Sequence, residues 1–387
     1  MKKHLILLAT ILLVVSCSKS RVLVDVREID FINKSHVTVK GTPVIAQWPI
    51  GIRDIAVCDS FLVVLSQERD AQLCVYSNDF ELLGRFCYMG RADNEFIMQP
   101  RWFATQVLKG SNGNTLIPLL DGHWGVKVMD IQKSLESQGT VIVKQNDYSG
   151  TREFTIENED AMTRMRAGIQ YVFLDNDINH VFESYNYTMM DIVVNVEPSC
   201  AVMHDTAQIK NFKYLSYFDD NEFNYLLGSL DKHPDRNLVI KPLMYMDYIL
   251  FFDLDNDRTF AIHQSGSLSF DDELPVVNEK MITGSDGDVN IEEQPVCHFA
   301  ESACSDSFFM IEYYAGDYSA SASDSSNPAP ELLFFDWEGN FLKSVKLDTP
   351  VGCITYDERK QVLYGIGGEN DRIISFDLSS VVSDIAK

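Results

Sequence analysis

Residues 54–86 read DIAVCDSFLVVLSQERDAQLCVYSNDFELLGRF, and this stretch decides the fold. Asp54–Val57, Phe61–Ser66, Gln72–Tyr76 and Glu81–Phe86 are short apolar runs rich in β-branched and aromatic residues. Asp59-Ser60, Glu68–Asp70 and Asn78-Asp79 separate them with side chains that favour turns. Four short strands joined by tight turns predict an antiparallel meander, the unit of which a propeller blade is made.

The unit recurs. Phe334–Leu342 lies over Val75–Leu83 as third strand, polar hairpin turn and fourth strand. Ile354–Asp357, Val362–Ile366 and Arg372–Asp377 rebuild three strands near the C-terminus. An aromatic residue or methionine, mostly followed by Asp, marks third strands at Tyr76, Met129, Met190, Phe252, Phe335 and Phe376. Six marks over the chain give units of about 60 residues, longer than a WD40 repeat. The expectation is an all-β, six-bladed propeller of four-stranded antiparallel blades, with seven blades the open alternative. The last unit ends after its third strand. Val22–Phe31 alternates well and is expected to supply the missing outer strand, closing the ring and removing open edges. Ile131–Gln138 reads as a short helix, and Ala315–Pro330, rich in Ser, Ala, Asp and Pro, as a mobile loop.

Before the strands comes a leader. Lys2 and Lys3 precede an apolar run from Leu5 to Val15, too short to span a bilayer of about 30 Å. Ser16-Cys17 then places cysteine at +1 of a small-residue cut site, the arrangement of a lipoprotein signal, although Val14 stands where such signals prefer Leu. Residues 1–16 are therefore read as a signal peptide, 17–21 as a tether acylated at Cys17, and 22–387 as one propeller domain. Cys17 is the membrane contact.

Composition narrows the partners. The net charge of −25, or −27 once Lys2 and Lys3 are removed, argues against nucleic acid and against electrostatic adhesion to anionic lipid. With 45% hydrophobic residues the chain is globular. Cys58, Cys74, Cys87 and Cys353 lie in strand-like runs and read as buried free thiols rather than disulfides. No CxxC pair, GxSxG elbow, P-loop or HExxH is present, so no catalytic residue is assigned. Cys297-His298 with Cys304 is the nearest approach to a metal spacing. Asp253–Asp257 opens like a calcium loop, but Arg258 and Gln264 hold the places that need Gly and Glu, so a hairpin turn is expected. Gly284–Asp288 reads as a turn as well.

The lipobox, the meander and Gly90-Arg91-Ala92-Asp93-Asn94-Glu95-Phe96 after the first blade resemble the TolB-like six-bladed propeller lipoproteins of Bacteroidetes. That family carries a glycine-rich Gly-x-Gly-Pro-Gly-Glu-Phe-like segment there. This chain keeps the first Gly, the Glu and the Phe and replaces the Gly-Pro-Gly core. The resemblance implies the propeller fold and an envelope location. Ser18-Lys19-Ser20-Arg21 lacks the acidic residues of surface-export signals, so the expected side is the periplasm.

In a propeller the connections between blades and the turns joining second to third strands emerge on one face. That convergence selects Arg91, Glu95, Arg101, Trp102, His123 and Trp124 as ligand-binding residues; a purely bracing role for Arg91 and Glu95 is the alternative. The expected activity is non-enzymatic binding or scaffolding of a protein, peptide or glycan by a monomer without a cofactor. The alternative is a calcium-dependent hydrolase of the lactonase type, which would need a cage of carboxylates at the channel mouth.

Overall fold

The third strands of blades 1, 4 and 5 end in the turn chemistry visible in their sequence. Asp336 ends the third strand of the fifth blade and accepts from the Glu338 N–H (3.0 Å), the Asn340 N–H (2.7 Å) and Asn340 Nδ2 (2.8 Å). Asp253 does the same one blade earlier for the Asn256 N–H (3.1 Å) and Nδ2 (2.8 Å). Asp253–Asp257 is thus a capped hairpin turn. In the first blade Ser77 takes the role, accepting from the N–H groups of Asp79 and Glu81. The aromatic-Asp marks are therefore strand ends with a built-in cap.

A computed structural model of the chain describes residues 21–31, 37–97, 106–121, 125–147, 169–175, 177–185, 200–204, 207–215, 228–273, 297–318, 329–367 and 372–386. These form six antiparallel sheets in ring order, a six-bladed propeller. The innermost strands of blades 1 to 6 are Ile52–Cys58, Leu108–Lys109, Ile169–Leu174, Asp231–Lys232, Cys297–Cys304 and Gly352–Asp357. Third strands include Leu73–Ser77, Gly125–Asp130, Tyr248–Asp253, Glu331–Asp336 and Arg372–Asp377, each containing its expected mark. Blade 3 departs from the marking. Its third strand is Cys200–His204, whereas Met190 lies outside the described residues. The expected short helix is present as Ile131–Ser137, capped by Asp130, which accepts from the Lys133 N–H at 3.0 Å. The second strand of blade 5, Phe308–Tyr318, runs into the segment expected to be a loop, because Tyr318 still pairs with Cys297.

The core lies between blades. Six apolar clusters fill the six junctions, the last of them joining Ile55, Val64 and Tyr76 of blade 1 to Tyr364 and Ile373 of blade 6. Middle strands such as Phe61–Ser66 and Tyr248–Asp253 are buried on both faces, which explains runs such as FLVVL and ILFF that do not alternate. All seven cysteines after Cys17 are free thiols.

Closure of the ring departs from the sequence expectation. Asp25–Ile29 does not complete the last blade; it adds as a parallel fifth strand to Arg258–Gln264, the outer strand of blade 4. Val37–Val39 adds in parallel to Phe341–Leu347 of blade 5. Only Gly41–Pro43 pairs antiparallel with Arg372–Asp377 and supplies the fourth strand of blade 6. The N-terminal segment thus laces three consecutive outer edges. Alternation in residues 22–31 signals a strand but carries no information about which edge receives it. Gly41 is required at its crossing, since a Cβ there would stand 2.8 Å from Ile374 Cγ2.

Phe31 pins the strap. It is fully buried, with edge contacts to Tyr313 (5.8 Å) and Phe335 (5.7 Å), and its N–H donates to Gln264 Oε1 at 2.9 Å. Phe31→Ala is expected to destabilise the ring by about 3–5 kcal/mol, read from the denaturant midpoint. Deleting residues 21–31 should lower the melting temperature yet leave a cooperative monomer. Deletion through Pro43 should open blade 6 and cause aggregation; equal behaviour of the two deletions would refute the assignment of closure to Gly41–Pro43.

Candidate binding face and central channel

The connection following blade 1 is braced from within. Glu95 Oε2 accepts the Ala92 N–H (2.9 Å), the Glu95 N–H donates to the Ala92 carbonyl (2.9 Å), and the Gly90 N–H donates to the Phe96 carbonyl (3.0 Å). A Cβ at Gly90 would lie 1.8 Å from Glu95 Oε2, and Phe96 is fully buried in the junction of blades 1 and 2. Gly90, Glu95 and Phe96, the residues that carry the family resemblance, are one structural unit. Arg91 is exposed at its tip. The connection also meets blade 2: the Ile97 N–H donates to Asp121 Oδ1 (2.7 Å), and Lys127 pairs with Asp121 (2.8 Å) over the Phe96 ring. Arg101, Trp102, His123 and Trp124 lie outside the described residues.

On the same face the chain exposes large apolar side chains that no sequence motif marks. Ile45 and Ile50 (81% exposed) lie on the connection entering blade 1; Tyr88, Met89 and Ile97 (68% exposed) lie on the one leaving it. Glu68, in the turn between second and third strands, ties these connections together. It accepts the Ile50 N–H (3.1 Å) and pairs with Arg85 at the end of the outer strand. Ile45 and Ile50 were missed because their stretch reads as a linker; only strand pairing on either side shows that its side chains face outward.

Diagonally across the ring, the same face holds a buried ion triad at the junction of blades 4 and 5. His298 Nδ1 stands 2.7 Å from Asp247 Oδ1, and Nε2 stands 3.3 Å from Glu273 Oε1. Ser267 Oγ donates to Asp247 Oδ2 at 3.0 Å. Burial alone would lower the imidazole pKa, but the two carboxylates outweigh it and hold His298 at about 9. The Cys297-His298 pair with Cys304 is therefore no metal motif: His298 serves a salt bridge, and Cys304 is a desolvated thiol near Asp231. Among the described residues no group of three His, Cys, Asp or Glu side chains is placed to hold a metal ion.

The innermost strands bring a second polar cluster together around the central channel. Asp54 (blade 1), Asp231 (blade 4), Glu301 (blade 5) and Cys353 (blade 6) lie on four consecutive inner strands. Glu301 keeps accessible surface on the inner strand of blade 5. Cys353 takes φ +50° and turns its Sγ to the Arg53 carbonyl, 3.3 Å away. Burial, assisted by the charge of Glu301, holds the Asp54 carboxyl well above its usual range. Burial likewise pushes Asp231 up to about 7, against the opposing hydrogen bond from Ser302. These residues are spread along the chain with no common spacing, so only closure of the ring collects them.

No known protein family and no curated protein matches the chain. Among solved structures, a Bacteroides fragilis protein described as exported is similar, with a TM-score of 0.51 and 9% identity over 92% of this chain and 98% of that one. A DUF4221 family member from Bacteroides vulgatus gives 0.48 and 8% over 89% and 96%. The β-propeller domain of Cps50 (Swd1) from Myceliophteria thermophila gives 0.47 and 10% over 88% and 100%. At such identity the first of these is a likeness of fold. No helix among the described residues is long and apolar enough to cross a membrane.

Asp231 and His298 shape the pH response between neutral and alkaline pH. Asp231, normally near 3.8, stabilises the fold fully below that value and loses its contribution as pH rises through about 7. His298, normally near 6.5, contributes fully below that value and loses it as pH rises through about 9. Both signs agree, so the melting temperature is expected to fall between pH 5 and pH 9. Asp231→Asn should flatten the lower part of that profile. A melting temperature that climbs over this range would contradict the assignment.

Proposed function

We propose that this chain is a lipid-anchored, non-enzymatic binding propeller of the bacterial envelope that docks another protein on the connection face around blade 1. The observation that carries the reading is the set of Ile45, Ile50, Tyr88, Met89 and Ile97, exposed on the two connections flanking that blade. Clustered exposed apolar side chains rimmed by charge are the usual mark of a protein contact. Arg91 and the Glu68–Arg85 pair supply the polar rim. Arg101, Trp102, His123 and Trp124 belong to the same connection and the adjoining turn, and aromatic anchors among charges suit such a contact.

The tether fits this arrangement. Arg21 donates its N–H to Asp271 (3.4 Å), and the Leu23 N–H donates to the Tyr214 carbonyl, at the rim of blades 3 and 4. Three residues separate Arg21 from Cys17, a span of four Cα–Cα steps and a reach of at most about 14 Å. An acyl group at Cys17 would hold that rim to the membrane and leave blade 1, on the other side of the ring, free for a partner. The lipobox, the resemblance to the TolB-like propeller lipoproteins and the fold shared with an exported Bacteroides protein support a periplasm-facing monomer. The calcium-dependent hydrolase has no specific observation in its favour.

Two measurements test the proposal. Cys17→Ala should move the protein from the membrane to the soluble periplasmic fraction; retention through a high-salt wash would refute the tether. Ile50→Asp with Ile97→Asp should weaken capture of the partner recovered from native membranes by roughly thirtyfold, since losing an anchor costs about 2 kcal/mol. Asn78→Ala and Glu338→Ala, on the opposite face, should leave capture intact. The reverse pattern would move the docking site to the hairpin face.

A further inference from the structure

Two large apolar side chains face solvent where the N-terminal segment enters the ring. Leu23 and Leu268 are each 55% exposed, on the rim between blades 3 and 4. Neither owes its exposure to a loose backbone. The Leu23 N–H donates to the Tyr214 carbonyl (3.0 Å), and Val22 bridges Leu215. Val22 and Val24 pack against the apolar cluster of that junction, so alternation turns Leu23 outward. Leu268 is held in a similar way. The Ser267 N–H donates to the Gln264 carbonyl (3.2 Å), and Ser267 Oγ donates to Asp247 Oδ2 (3.0 Å). Phe270 is buried, and its N–H donates to the Tyr248 hydroxyl at 3.0 Å. The chain between these fixed points presents Leu268 to solvent.

Arg21 joins the two segments. Its N–H donates to Asp271 Oδ2 (3.4 Å), and its Nε stands 3.6 Å from Asp271 Oδ1. Leu23 follows Arg21 closely and Leu268 closely precedes Asp271, so both flank this contact. The segment around Leu268, Ser265-Gly266-Ser267-Leu268-Ser269, carries no charge. Scattered exposed leucines are ordinary on any surface. These two are set apart by their place beside the tether. Cys17 is four Cα–Cα steps from Arg21, at most about 14 Å, and six from Leu23, at most about 22 Å.

We propose that Leu23 and Leu268 form a membrane contact, entering the headgroup–acyl boundary of the bilayer that carries the anchor. The inference rests on acylation at Cys17 and adds what that reading leaves open, the orientation of the ring. Retention belongs to the acyl chains, since two leucines bury too little area to hold a chain of this size on lipid. Their contribution is a second point of attachment, which a short tether keeps at high effective concentration. The contact is apolar for an electrostatic reason. A chain at −25 is repelled by anionic headgroups, so attraction has to come from apolar burial. The junction of blades 3 and 4 lies across the ring from blade 1. Seating this rim on the bilayer therefore lifts the docking connections of blade 1 clear of it.

The test uses the mature chain with a hexahistidine tag in place of Cys17, held on phosphatidylcholine vesicles by a nickel-chelating lipid. With brominated phosphatidylcholine, the fluorescence that Leu268→Trp or Leu23→Trp adds to the chain should be quenched, while that added by Ile97→Trp keeps its intensity. Leu23→Asp with Leu268→Asp should speed dissociation of the tagged chain from a supported phosphatidylcholine bilayer roughly tenfold. Ile50→Asp with Ile97→Asp should leave that rate unchanged. All four positions are exposed, so the substitutions remove no buried contact. Quenching at Ile97 in place of Leu23 and Leu268, or dissociation unaltered by the aspartates at Leu23 and Leu268, would overturn the contact. Because the tag replaces the acyl group, loss of the contact here and loss of the tether in the Cys17→Ala fractionation are separate results.

Discussion

The strand pairings made by residues 25–43 hold the ring in one piece. A propeller has no covalent link between its last blade and its first, so closure depends on a segment from one terminus completing a sheet begun by the other. Here Gly41–Pro43 does so on Arg372–Asp377. Three residues make few hydrogen bonds, and their hold is extended by the two parallel pairings upstream, on blades 4 and 5. Phe31, buried between those pairings, converts the strap from an edge decoration into part of the core. Each added strand also covers an outer edge that would otherwise offer unpaired backbone groups.

Closure has two consequences for what the molecule can do. It fixes the inner strands of blades 4, 5, 6 and 1 side by side, and so brings Asp231, Glu301, Cys353 and Asp54 around one channel. It also fixes the connections into and out of blade 1, which place Ile50 and Ile97 outward on a rigid rim. The two regions differ in character. The rim is apolar and exposed and suits a large partner, whereas the channel is acidic and enclosed. The His298 triad, on the same face as the rim, adds buried charges to the apolar junction of blades 4 and 5.

Much of the fold was legible in advance because blade geometry is local. Turn residues such as Asp336 and Asn340 act within five positions, and the third-strand marks at Tyr76, Met129, Phe252, Phe335 and Phe376 hold because the cap and the strand end are neighbours in sequence. Blade 3 broke the pattern because its third strand is Cys200–His204, ten residues beyond the Met190 mark. The site was less legible. Glu95 was singled out for its position, and the fold turns it inward to support Ala92 and exclude any side chain at Gly90.

By itself the sequence determined the class: short strands, capped hairpins and a repeating meander, all consequences of backbone and turn chemistry acting over a few residues. It also set the net charge. Tertiary structure alone decided which edge each N-terminal strand joins, because alternation in Val22–Phe31 suits any open edge equally well. It alone decided that Asp54 and Glu301, far apart in the chain, lie on the inner strands either side of blade 6, since only ring closure converts that separation into proximity.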